Sequence, residues 1–225
     1  MSELAFNINQ LPDEVFKNAK DSNEDLNKDI KSRMTFINEC LDKTIEGSKS
    51  QIKDAVDLFC EWMIKGYVVR LIGSGRARLA GAVPMNRLAH GGARVYINDD
   101  NIPMPHSIHG GGIIAVSASG KTEPILKVLR HVRESTGNIA IVGVASKNAN
   151  EFKSYCKVFI GIDEDVDTIN PLTALADTGE QVICQLLDAM VVAAGKKALF
   201  DDTRWRLGHE DIGSTGPYGI RIVNK

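Results

Sequence analysis

Several signatures are missing from this chain, and each absence removes a class of function. Its four cysteines, Cys40, Cys60, Cys156 and Cys184, form no CxxC pair and sit among apolar neighbours. That usage argues against a disulfide scaffold or a cysteine metal site and fits buried free thiols in a reducing cytoplasm. Positive charge is not in excess: 27 Lys and Arg stand against 29 Asp and Glu, a formal net charge of -2, so no basic field marks a nucleic-acid binder. No apolar run approaches the length of a bilayer span. The opening MSELAFNINQ lacks the basic-then-apolar pattern of a signal peptide, so a cytoplasmic protein is expected. Internal repeats and low-complexity segments are absent as well.

What is present is an alternation. Residues 1 to about 22 are polar and mixed and read as an N-terminal arm. Leu26, Ile30, Met34, Ile37 and Leu41 then recur at helical spacing, as do Ile52, Val56, Phe59, Met63 and Ile64, which predicts two amphipathic helices closed by Gly66. From there the period changes. YVVRLIG (67–73), ARVYI (93–97), GIIAVS (112–117), NIAIVGV (138–144) and KVFIGI (157–162) are short, β-branched and nearly continuous in apolar character. Helical patterns at 76–91, 122–136 and 149–155 lie between them, and a long helix is expected from 172 to about 197. Strands of this kind alternating with helices predict an α/β domain over 23–198 with a parallel sheet covered on both faces. The stretch 199–225, with Gly208, Gly213, Gly216 and Gly219, has no periodicity and reads as an irregular tail.

In such a sheet ligands gather at the carboxyl ends of the strands. Two strand ends carry hydroxyls and glycines. LIGSGRARLAG places Ser74, Gly75 and Arg76 between strand and helix, and AVSASGKTEP does the same with Ser117, Ser119, Gly120 and Thr122. A helix start offers unpaired N–H groups to an anion, hydroxyls add donors, and glycine lets the backbone approach. Thr122 alone could be a plain helix N-cap; two such turns at neighbouring strand ends point to a phosphate. Neither is a nucleotide motif. GSGRAR fails GxGxxG at its sixth position, and SASGKT has Ala115 where the Walker pattern needs glycine.

These turns carry a resemblance. GSGR…RLAHGG together with SASGKTEP resembles the sugar isomerase (SIS) domain family, over residues 50 to 198, and within it the 6-phospho-3-hexuloisomerases. The corresponding stretches are GSGRA, SASGKTE, ADTGEQVICQLLD and RLGHED. The resemblance implies a five-stranded parallel sheet flanked by helices and a phosphorylated sugar as ligand. It implies interconversion of 3-hexulose 6-phosphate and fructose 6-phosphate through a cis-enediol, without cofactor or metal. Carried onto this chain, Ser117, Ser119, Gly120, Thr122 and Ser74 would hold the phosphate and Arg76 the sugar; read from the residues and not from the family, the loop PMPHSIHGGG lies at the site mouth with one histidine, His106, touching substrate. The chain departs from the family where it reads GRAR in place of GRSG, and where that loop carries histidines and glycines in place of acidic residues.

Glu180 and His209 are the catalytic candidates. On a helical wheel Glu180 shares its face with Thr173, Ala176, Ile183, Cys184, Leu187 and Val191, all but one of them apolar. Burial disfavours the charged form of a carboxylate, the tuning that lets one take a proton from carbon at neutral pH. The alternative is a glutamate placed near a helix start by the dipole. His209, beside Arg206 and Glu210, would move protons between sugar oxygens, in its own subunit or a neighbour's, or is a solvated tail residue. His106 and His109, three apart, could be read as metal ligands, but no acidic or cysteine partner stands at matching spacing. The leading helices and the 172–197 helix offer more apolar surface than one sheet can cover, which predicts a homodimer or homotetramer. Two rivals remain: an isomerase acting between C1 and C2, and a phosphosugar sensor without catalysis. No helix-turn-helix or CBS-like segment flanks the domain, which favours an enzyme.

Overall fold

The computed structural model describes residues 26–97, 110–136, 139–163 and 178–214. The expected arm at 1–22, His106, the helix start near 172 and the end of the tail lie outside them. Two helices lead, α1 (Leu26–Gly47) and α2 (Lys49–Lys65). Gly66 ends α2 in the left-handed conformation (φ 59°), its N–H bonded to the Met63 carbonyl, a turn that only glycine makes without strain. Five strands follow: β1 (Val68–Ile72), β2 (Arg94–Ile97), β3 (Gly111–Ser117), β4 (Ala140–Ser146) and β5 (Val158–Ile162). Between them run α3 (Gly75–His90), α4 (Glu123–Thr136) and the short α5 (Asn150–Ser154), and after them α6 (Thr178–Lys197) and α7 (Asp202–Ser214).

All pairings are parallel, in the order β2-β1-β3-β4-β5. The expected five-stranded parallel sheet is therefore what forms. Its strands read as continuous apolar runs because both faces are covered. In β3, Ile114 and Val116 join one core with α2, α3 and α6, while Ile113 and Ala115 join a second core with α4 and α5. The chain leaves β1 for β2 on one side and later returns to place β3 on the other. The strand order thus reverses between β1 and β3, the position where open α/β sheets leave a crevice.

α6 is deeply buried: Val182, Ile183, Leu186, Leu187, Met190, Val191 and Ala194 all belong to the first core. On α6 Val192 is exposed, and other apolar side chains left in solvent include Ile30 and Met34 on α1, Ile64 on α2 and Leu79 and Val83 on α3. The tail differs from the sequence expectation. Rather than being irregular throughout, it forms α7, which docks through a few specific contacts and not through an apolar stripe. Trp205 lies against Gly195 and edge-on to Phe200, with ring centroids 5.8 Å apart, and Gly208 rests on the His90 carbonyl. A Cβ at Gly208 would stand 2.0 Å from that oxygen, so the glycine that hid the helix in the sequence is what lets it dock.

Candidate functional site at the β1–β3 crevice

Ile72 pairs with Ala115, so β3 runs two residues past the end of β1 before its own turn, and the two turns leave neighbouring strands. After β1, a Cβ at Gly73 would lie 2.8 Å from Val116 Cγ2 and 3.0 Å from Arg78 Cα, and glycine lets the first turn of α3 press onto β3. Ser74 is the N-cap of α3 in extended conformation, yet its hydroxyl caps no backbone N–H and stays exposed. A polar group at a helix start that does not serve the helix is available to a ligand.

The second turn is internally braced. The backbone N–H of Gly120 donates to Ser117 Oγ at 3.0 Å, and that of Lys121 donates to Ser119 Oγ at 3.2 Å. Ser117 Oγ and Thr122 Oγ1 share a hydrogen bond at 3.2 Å. The Thr122 carbonyl accepts from Ile125 and Leu126, so Thr122 does cap α4 as the plain reading holds, but its hydroxyl turns to Ser117. Pro124 has no N–H and that of Ile125 bonds Thr122, so hydroxyls and the turn's own backbone are the groups an anion would meet. Gly120 has φ +67° and packs on Ala149, and the N–H of Ser146 bonds the Ala118 carbonyl at 2.9 Å, tying the turn to the end of β4. Lys121, an exposed cation in the middle of this turn, was not singled out from the sequence, although its place between Gly120 and Thr122 was signal enough.

Glu180 stands on the first turn of α6, which packs beside α3. Its side chain is only 14% exposed. Arg76 Nη2 lies 3.5 Å from Glu180 Oε1, while Oε2 is buried without a hydrogen-bond partner. The structure thus brings Arg76 and Glu180 together beside Ser74, and Glu180 is not the isolated carboxylate that its helical wheel implies. One turn further, the Cys184 thiol is pushed up by burial and by Asp188.

His209 is placed differently. α3 starts at the crevice and, with 16 residues, runs about 24 Å to the opposite pole of the sheet. Gly208 contacts the His90 carbonyl at that far end, so the backbone of α7 holds position 209 away from the turns of its own chain. Among the described residues no three His, Cys, Asp or Glu side chains form a metal cluster, and no helix is long and apolar enough to cross a membrane.

A parallel sheet in this order with helices on both faces is a doubly wound α/β fold, and the structures that match it include a sugar isomerase domain. Solved structures share it. A Methanococcus jannaschii protein whose structure infers a molecular function of 3-hexulose-6-phosphate isomerase matches with TM-score 0.66 and 18% identity, over 79% of this chain and 97% of that one. An Escherichia coli CFT073 protein in complex with A5P matches with TM-score 0.65 and 19% identity, over 84% and 99%. The sugar isomerase domain of an RpiR transcription factor from Sphaerobacter thermophilus matches with TM-score 0.61 and 12% identity, over 81% and 96%. No family model matches the sequence, and no curated protein does.

Proposed function

We propose that the chain is a phosphosugar isomerase interconverting 3-hexulose 6-phosphate and fructose 6-phosphate. The observation that carries this reading is the crevice between β1 and β3. Hydroxyl-rich turns able to bind phosphate stand there beside a carboxylate, Glu180, that keeps one oxygen buried and unpartnered. Ser117, Ser119, Thr122 and Ser74, with the Gly120 turn, hold the phosphate. Glu180 takes the proton from the carbon next to the carbonyl; the electron pair forms the 2,3-enediol, and the proton returns to the neighbouring carbon as the carbonyl moves. The net change is a proton shift within one molecule, so the chemistry calls for no cofactor. His209, held at the far pole of its own chain, serves the oxygens only from a neighbouring copy, in keeping with a homodimer or homotetramer.

The test is proton NMR of fructose 6-phosphate with the protein in D₂O. Loss of the C3 proton signal supports the 2,3-enediol; loss at C1 reassigns the protein to C1–C2 isomerisation. A second reading, a sensor without catalysis, draws on the likeness to a transcription factor domain. It predicts phosphosugar binding with no exchange at either carbon.

A further inference from the structure

Two facts about Glu180 belong together. Its Oε1 faces the Arg76 guanidinium at 3.5 Å, and its Oε2 is shut off from solvent with no partner. A carboxylate tied through neither oxygen rotates about its terminal torsion, which is soft. Here one ion pair restrains Oε1 and leaves Oε2 without a hydrogen bond. The tether comes from a different element: Arg76 lies on the first turn of α3, two residues past Ser74, and crosses to the first turn of α6. The next ion pair along the same seam, Arg87 with Asp188 at 2.6 Å, clamps the two helices a few turns further down, so the distance between Arg76 and Glu180 is set by helix packing. Arg76 is itself half exposed, so it could instead swing towards a bound sugar.

We propose that Arg76 is a positioning residue for Glu180. It anchors the carboxylate through Oε1, while Oε2, covered from solvent, makes no competing hydrogen bond. The proposal rests on the isomerase reading for its chemistry, but not for the tether itself. Arg76 from α3 is the cation at Glu180, and Cys184 lies one turn further along α6.

The experiment compares the full chain with Arg76→Met, which keeps an apolar stem, and Arg76→Lys, which keeps the charge. Two readouts are taken. The first is the carbon-13 resonance of the Glu180 side-chain carboxyl at fixed pH without ligand, assigned by its disappearance in Glu180→Gln. The second is kcat and KM for proton exchange on fructose 6-phosphate. In Arg76→Met the resonance is expected to leave its wild-type position, because Oε1 has lost the guanidinium beside it, and to return most of the way in Arg76→Lys. In Arg76→Met kcat should fall by about tenfold or more with KM within about twofold. An unmoved resonance overturns the tether. A raised KM with kcat intact overturns the positioning role and makes Arg76 a substrate ligand. If the wild-type protein exchanges no proton, the isomerase reading fails on its own terms, and the resonance alone decides whether Arg76 governs Glu180.

Discussion

Replacing Gly120 by alanine tests the turn after β3 at its tightest point. The residue has φ +67°, and a left-handed conformation costs an L residue about 1–2 kcal/mol. The new methyl would also stand 2.2 Å from the Ala149 Cβ, well inside van der Waals contact, and 3.3 Å from the Ala145 Cβ. Overpacking of that kind costs about 1–3 kcal/mol. The sum is about 3 kcal/mol, which for a chain of 225 residues lowers Tm by roughly 6–12 °C. Urea unfolding of four proteins (wild type, Gly120→Ala, Ala149→Gly and the double variant) separates the two contributions. Removing the Ala149 methyl relieves the clash but not the backbone strain, so the cycle should show a coupling of about 1–2 kcal/mol in favour of the double variant. A Gly120→Ala protein within about 0.5 kcal/mol of wild type, or a cycle without coupling, would refute the packing of this turn against the end of β4.

Three further outcomes are expected. Glu180→Gln should lower proton exchange on fructose 6-phosphate by roughly a hundredfold or more while leaving phosphosugar affinity nearly unchanged, as calorimetry would show. Leu199, 90% exposed with φ 61°, is a strained helix end; Leu199→Gly should stabilise the chain by about 1 kcal/mol, read from the urea midpoint. Burial pushes the Cys156 thiol up to about 12, so it stays protonated and should resist a thiol-specific reagent even at pH 9 while the native fold persists.

Much of the fold is legible in the sequence, for a physical reason. Parallel strands buried on both faces must be apolar at consecutive positions, and β3 and β4 show this almost without interruption. The helices α1 to α4 are legible because each must turn a periodic apolar stripe inward. The turns after β1 and β3 are also visible, since a hydroxyl-glycine run between strand and helix has a local backbone logic. What stayed hidden was long-range. No periodicity couples Arg76 to Glu180; their approach follows from the packing of α3 beside α6. α7 escaped notice because Trp205 and Gly208 dock it through single contacts, which leave no repeating pattern. The far placement of position 209 follows from the same docking.

The crevice is assembled from three separated parts of the chain: the turn after β1, the turn after β3 and the first turn of α6. None of them is a binding unit alone, so the site exists only when the sheet is complete. A ligand that fits it therefore binds the native state and not the unfolded one, and its affinity is written into the folding equilibrium. At a concentration of a hundred times Kd it adds about 2.7 kcal/mol to the stability of the whole chain. A melting curve recorded against a panel of phosphorylated sugars then ranks them by fit, with no turnover needed.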